Sequence, residues 1–313
     1  MHNEVITIFG GTGFIGRHLV DRLAQTGVTL RVVTRDPDRA GFLRPKGDVG
    51  QIAILPFADD AASLRLLIDG STGVVNLLGI LYEKKPGDFM RVHRDTAKRI
   101  AEAAAATGVR RLVHMSAIGA DPAGEALYAQ SKGEGEAAVK AAFPAVSIVR
   151  PSIVFGPGDG FFARFAQMSM LSPFLPLIDG GTSRFQPVYV MDVAEAIARC
   201  LESDAHQGKV FELGGPEVKT FAELLRYILD TVNRRRLLLP LPSSIAEIQA
   251  RFLEKLPNPP LTRDQLKMLK NDNVVSEGAL ALHDLGIDPT PFQVVVPGYL
   301  APFSRPQRAR AVA

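Results

Sequence analysis

The sequence predicts an α/β protein built on a doubly wound parallel sheet, followed by a smaller, mostly helical C-terminal lobe. Three observations carry this. Short β-branched runs alternate with longer segments of helical spacing over the first 150 residues. Glycines cluster where the first run meets the first helix, and after Pro151 the texture changes to proline, glycine and helical periodicity with few strands. Alternation of strand and helix calls for right-handed crossovers, which lay the strands parallel and cover both faces of the sheet.

Taken in order, a strand is predicted over 4–9 and a helix over 14–26, with the glycines between them. Further strands are predicted at 28–34, 51–55, 73–78, 110–115 and 145–150. Helices are predicted at 60–68, 88–106 and 126–142, with a short one at 37–43. Gly108 is placed to stop the helix before it. Beyond Pro151 the helical stretches are 160–170, 191–202, 220–232, 243–256, 262–270 and 277–284. The expected division is a first domain over 1–150, to which segments near 185–199 and 209–213 return. A smaller lobe then covers 151–303, and a basic, aperiodic tail covers 304–313.

Composition excludes several classes. The chain has 313 residues, 46% of them hydrophobic, enough for one large core and a smaller one. Its net charge of +3 comes from basic residues scattered among acids, so no nucleic-acid groove is expected. The single cysteine, Cys200, excludes an internal disulfide and fits a reducing compartment. No apolar run nears the roughly 18 residues of a membrane span, so no transmembrane segment is expected. The early first strand leaves no place for a signal or transit peptide before it. The expected location is the cytoplasm of a bacterium, with peripheral attachment to the inner membrane as the alternative. Histidines 2, 18, 93, 114, 206 and 283 share no ligand spacing, so no metal is expected. No GxxxxGK[ST] loop and no GxSxG elbow occurs.

The stretch FGGTGFIGRHL carries the first chemistry. Gly10 permits a tight turn, Gly13 lets backbone approach a diphosphate, and Gly16 lets helix and strand pack closely. Thr12, Phe14 and Ile15 complete the turn, whose amides and helix N-terminus suit phosphate. This strand–turn–helix context makes it a Rossmann dinucleotide fingerprint. A NAD site wants an acid at the end of the second strand, but here Thr34 stands at that place and Arg35 follows. Arg35, with Arg39 nearby, matches a ribose 2′-phosphate in charge and fork geometry. NADP(H) is therefore the preferred cofactor, with NAD(H) possible through Asp36.

Several motifs together resemble the extended short-chain dehydrogenases/reductases: the GxxGxxG spacing, NLLGI, YAQSK, RPSIVFGPGD and QPVYVMDVAEAI. LRPKGDVGQI, VNLLGILYEK, LVHMSAIGAD and PPLTRDQLKMLKNDNVV look more closely like an atypical branch. That branch is the nucleotide-binding accessory subunit of respiratory complex I, the alpha-subcomplex subunit-nine type, with its bacterial relatives. The resemblance runs from residue 4 to about 300. It implies complex I subunits or the quinone-synthesis machinery at the membrane surface as partners, and a quinone or lipid-like ligand.

It also implies roles. Tyr128 and Lys132 are four apart and share a helix face. In active relatives the tyrosine moves the proton, and the lysine holds the nicotinamide ribose and lowers the tyrosine pKa. A hydroxyl at the end of the fifth strand binds the substrate oxygen. Ser116 is available, but the register places Ala117 there. If Ser116 instead caps backbone, the oxyanion loses a donor, at a cost of about 10²–10³ in rate. Leu78 and Gly79 would lie over the ribose, and Pro151 and Ile153 would wall the nicotinamide. Asp192 is expected to cap the helix that follows it. Phe161, Phe162, Phe165 and Met168 are expected in core, with a greasy ligand pocket as the alternative. Ile245, Ile248, Phe252 and Leu256 form an apolar stripe that usually means core, and a docking face against a partner or membrane is the alternative.

Three functions follow from this reading. The first is an NADP(H)-binding protein of the complex I accessory type, its cofactor held for structure or sensing. The second is an active NADPH-dependent oxidoreductase or epimerase on a sugar-nucleotide, steroid-like or quinone-related carbonyl. The third is an NADPH-sensing regulator.

Overall fold

The computed structural model describes residues 4–254, 256, 259 and 261–305. Six strands run in chain order: β1 (Val5–Phe9), β2 (Thr29–Thr34), β3 (Ile52–Pro56), β4 (Gly73–Asn76), β5 (Arg111–Met115) and β6 (Ser147–Pro151). With Val210–Leu213 they form one parallel sheet in the order Val210–Leu213, β6, β5, β4, β1, β2, β3. The strand order reverses between β1 and β4, which opens a crevice at their carboxyl ends. Helices α1 (Phe14–Ala24), α2 (Ala61–Ile68), α3 (Ala97–Ala106) and α4 (Leu127–Ala142) make the crossovers. Two of them show clear stop or start signals. The Asp60 side chain accepts from Ser63 N and starts α2, and Gly108, at φ +69°, follows the end of α3.

The sheet is held by burial on both faces. Ile6, Ile8 and Phe9 of β1 are all but fully enclosed, each worth about 1.5–3 kcal/mol of transfer free energy. One face meets Ile100, Ala101 and Ala104 of α3 and Val139 of α4. Ahead of α3, Met90–Thr96 winds as a π-helix, a wider turn that redirects side chains within an otherwise regular helix.

Two compact units result. The first comprises residues up to Ser152 together with Val190–Gly214 and Val275–Pro289. The second comprises Ile153–Tyr189, Gly215–Val274 and the residues from Thr290 on. Its helices are Phe162–Leu171, Phe221–Thr231, Ser243–Leu253, Arg263–Met268 and Phe292–Leu300. Its core gathers Phe155, Phe162, Phe221, Leu225, Ile228 and Phe292, with Phe161, Phe165 and Met168 packed against it. Those three therefore take the packing role.

Several expectations are corrected. Of the stretch 185–199, only Val190 onward lies in the first unit; Phe185 and Val188 pair with Lys219 and Val154 of the second. The predicted helix 277–284 reduces to one turn, Leu282–Leu285, because Leu280 is drawn into a bridge with Phe211. Helix Phe292–Leu300 was hidden by Pro297 in its interior. Asp192 does not precede its helix: the helix begins at Val190, and Asp192 is buried in its first turn. Most of the basic tail, residues 306–313, lies outside the described residues. Among the described residues no helix is long and apolar enough to cross a membrane.

Candidate functional site

The glycine turn sits at the carboxyl end of β1, beside the end of β4. Gly10 adopts φ +82°, and a side chain there would press on Leu77 backbone at 3.2 Å. The Gly13 N–H closes the turn on Gly10 O at 3.0 Å. Gly13 is then the N-cap of α1, with no capping side chain and no acid in the first turn. Phe14, Ile15 and Gly16 thus open the helix with an uncompensated positive end. Thr12 Oγ1 lies 3.4 Å from Thr34 Oγ1, tying the turn to the end of β2.

The charges after β2 divide unequally. Asp36 accepts from Arg39 N, and its carboxylate pairs with Arg39 Nε at 3.2 Å. Arg35 is exposed and has no acidic partner among the described residues. Sequence reasoning treats Arg35 and Arg39 alike; the structure separates them.

A second group gathers on α4 and the ends of β4 and β5. Lys132 Nζ, buried, donates to Met115 O at 3.1 Å and stands 5.9 Å from the centre of the Tyr128 ring. A side chain added at Gly79 would lie 3.6 Å from that nitrogen, so Leu78, Gly79, Lys132 and Tyr128 are brought together. Burial pushes the Tyr128 phenol up to about 12 and the Lys132 ammonium down to about 8. The expected lowering of the tyrosine by the lysine is therefore outweighed by desolvation. At neutral pH Tyr128 holds its proton.

Ser116 is 3% exposed and its Oγ has no hydrogen-bond partner among the described residues, so it caps no backbone. Ala117, half-buried, follows in the loop leaving β5. Pro151 ends β6 and accepts from Ile118 N at 3.1 Å. Ile153 belongs to the second unit, on its aromatic core.

Four residues escaped sequence reasoning. Ile80 N donates to His93 Nε2 at 3.1 Å, so the His93 proton sits on Nδ1 and points to Ser131 Oγ at 2.8 Å. Ser131 Oγ in turn donates to Tyr128 O. His93 thereby bridges the loop after β4 to the helix of Tyr128. Asn76 Oδ1 accepts from Leu78 N, leaving its amide to donate to His114 Nδ1 at 3.2 Å. The His114 proton then sits on Nε2, a buried atom without a partner among the described residues. Ser116 Oγ and His114 Nε2 are two of three buried side-chain polar atoms without a partner among the described residues, His18 Nε2 being the third; Ser116 directly follows the end of β5, two residues beyond His114. The pairing of Asn76 with His114 depends on the β4–β5 register, and no sequence spacing encodes it.

Both histidines carry a stability consequence. Burial pushes His93 down to about 2 and His114 down to about 3. Below the ordinary histidine pKa the unfolded chain takes up protons that the folded one refuses. Stability is therefore full above pH 6.5 and falls as pH drops towards 3, at about 1.4 kcal/mol per pH unit per histidine. Urea unfolding from pH 7 to 5 should show this loss, and His93→Gln with His114→Gln should flatten it. A parent whose stability is level across that range contradicts two buried neutral rings.

Comparison with known proteins fits this geometry. The model of the "NAD dependent epimerase/dehydratase family" matches residues 6–214. The chain belongs to that family. It is 35% identical over 298 residues to the "NADH dehydrogenase [ubiquinone] 1 alpha subcomplex subunit 9, mitochondrial" of Arabidopsis thaliana, covering 91% of this chain and 74% of that one. It is 36% identical over 197 residues to a "Ceramide reductase" of Caulobacter vibrioides, covering 63% and 61%. The crystal structure of DesIV, a dTDP-glucose 4,6-dehydratase from Streptomyces venezuelae with NAD bound, superposes with a TM-score of 0.66 at 21% identity, covering 76% of this family member and 84% of DesIV. The family's NAD(P)-binding fold and its complex I homologues are thus established for this chain.

Proposed function

We propose that this protein binds NADP(H) and keeps it mainly as a structural or sensing ligand, in association with complex I or quinone metabolism at the inner-membrane surface. The observation that carries the proposal is a complete nucleotide cradle beside an incomplete catalytic set. Gly10, Gly13 and Gly16 shape the phosphate turn, Arg35 stands free after β2, and Ala117 offers no hydroxyl. When bound, the nicotinamide would supply hydride chemistry. Lys132 and Gly79 would lie against its ribose, and Tyr128 would hold a proton next to it. The relatives named as complex I subunits support the partner assignment.

The test is a fluorescence titration of the pure protein with NADPH and NADH. Arg35→Glu should weaken NADPH by about tenfold to a hundredfold, the range of a lost charge-assisted contact, and leave NADH nearly unchanged. Equal affinities for the two in the parent would overturn the cofactor preference.

The second reading is an active carbonyl reductase. It draws support from the Tyr128–Lys132 geometry, the unsatisfied Ser116 hydroxyl and the relative named ceramide reductase. If the pure protein oxidises NADPH with a carbonyl substrate and Tyr128→Phe abolishes it, this reading replaces the first. Stoichiometric NADPH that stays unreacted, in a protein that sediments with complex I, sustains the first.

A further inference from the structure

We infer that the second unit docks on an anionic lipid bilayer through the strand Leu237–Leu241 and the helix Ser243–Leu253. The helix buries Ala246 and Ala250 against Ile178 and Leu266. Helical spacing sets Ile245, Ile248 and Phe252 on another stripe, where Ile248 is 62% and Phe252 67% exposed. The core role expected for that stripe is thereby corrected. The preceding strand adds exposed Leu237 and Leu239, and its partner strand starts at exposed Phe174, in register with Leu237. Met170 and Leu171, at the end of the helix before it, are exposed as well.

Charge selects the occupant. Residues 231–272 contain eight Lys and Arg against four Asp and Glu, an excess larger than the whole chain's +3. The acids of this segment are engaged: Glu247 with Lys270, Glu254 with Arg263 and Asp272 with Arg184, while Asp264 also has an interaction partner. Arg235, just before the strand, and Arg251, at the edge of the apolar stripe, are exposed with no carboxylate partner among the described residues. Apolar side chains flanked by unneutralised arginines suit the boundary between acyl chains and anionic headgroups. A second copy fits poorly, because a two-fold contact would set like-charged faces together.

This inference stands on the second unit and needs neither nucleotide nor complex I, so pure lipid vesicles test it apart from the proposed function. Phe252→Cys in the full chain gives one reactive thiol for an environment-sensitive dye, since Cys200 is buried. A blue shift is expected with phosphatidylcholine vesicles carrying about a third phosphatidylglycerol, and not with phosphatidylcholine alone. Arg235→Glu with Arg251→Glu should weaken binding by about 25-fold or more, at roughly fivefold per cation. Unlabelled parent should float with the anionic vesicles and come off at high salt, a measurement that needs no variant to fold. Three results would overturn the inference: no shift with anionic vesicles, an equal shift with neutral ones, or a concentration-dependent shift in the absence of lipid.

Discussion

Gly16→Ala is expected to destabilise the first unit whether or not nucleotide is bound, while Gly13→Ala is expected to leave the fold intact and lose nucleotide. A methyl at Gly16 would stand 2.4 Å from Gly10 O and 2.6 Å from Gly11 Cα. Both are backbone atoms of the turn, so nothing can swing aside and the turn itself has to open. Overpacking of this kind costs about 1–3 kcal/mol even where side chains can yield, and here they cannot. A methyl at Gly13 meets only Gly10 O, at 3.2 Å, a contact relieved by a shift of tenths of an ångström. What Gly13→Ala would obstruct is the close approach of a diphosphate to the backbone. Melting temperature and nucleotide titration, measured together, separate the effects. Gly16→Ala should lower the first by several degrees, whereas Gly13→Ala should weaken NADPH by at least about tenfold, or 1.4 kcal/mol, at a nearly unchanged melting temperature. A Gly13→Ala protein that binds nucleotide like the parent would remove the phosphate role from this turn.

The fold was legible to the extent that local pattern dictates it. The β-branched run of β1 becomes a strand because it is buried on both faces and tolerates little else, and β5 is enclosed along its whole length. The glycine turn was legible because its residues must adopt backbone states and contacts that only glycine allows. Legibility fails where long-range packing overrides local preference. Leu237–Leu241 becomes a strand, despite Pro240, by pairing with Phe174–Ile178. Residues 277–284 carry a helical pattern, yet Leu280 bridges by its backbone to Phe211 and only Leu282–Leu285 winds into a turn, burying Leu282 and Leu285.

The candidate site divides in the same way. Tyr128 and Lys132 could be read because a four-residue spacing on a helix guarantees a shared face. His93, Asn76, Ser131 and His114 could not, because their meeting depends on the β4–β5 register and on a π-turn that swings His93 inward. The electrostatics were also out of reach. An i,i+4 lysine argues for a lowered phenol pKa, and only the depth of burial shows that desolvation wins.

Arg150→Met is expected to be among the most destabilising single changes in the first unit. Arg150 on β6 forks onto Glu136 of α4 with two bonds of 2.7 Å and reaches Glu212 on the neighbouring strand at 3.3 Å. Hydrogen bonding to Glu136 holds its guanidinium above the ordinary arginine range. Glu212 also accepts from Ser276 N, which joins the returning segment to the sheet. The two carboxylates are nearly enclosed, with side chains 5% and 7% exposed. Methionine fills similar volume but leaves Glu212 without this cation and Glu136 with only Lys140 Nζ, at 3.9 Å. Stranding a buried charge typically costs about 3–5 kcal/mol, and urea unfolding at pH 7 should report a loss of that size. The pH dependence tests the cause. Unpaired buried carboxylates take up protons more readily than those of the unfolded chain. The deficit of Arg150→Met relative to the parent should therefore shrink on acidification, as protonation neutralises the carboxylates that lost their arginine. Adding Glu136→Gln should recover part of the loss at neutral pH by removing one of the two charges. A deficit independent of pH would mean that the arginine contributes packing alone. Retained stability at pH 7 would mean that α4, and with it Tyr128 and Lys132, is anchored to the sheet by apolar contacts such as Val139 rather than by this ion network.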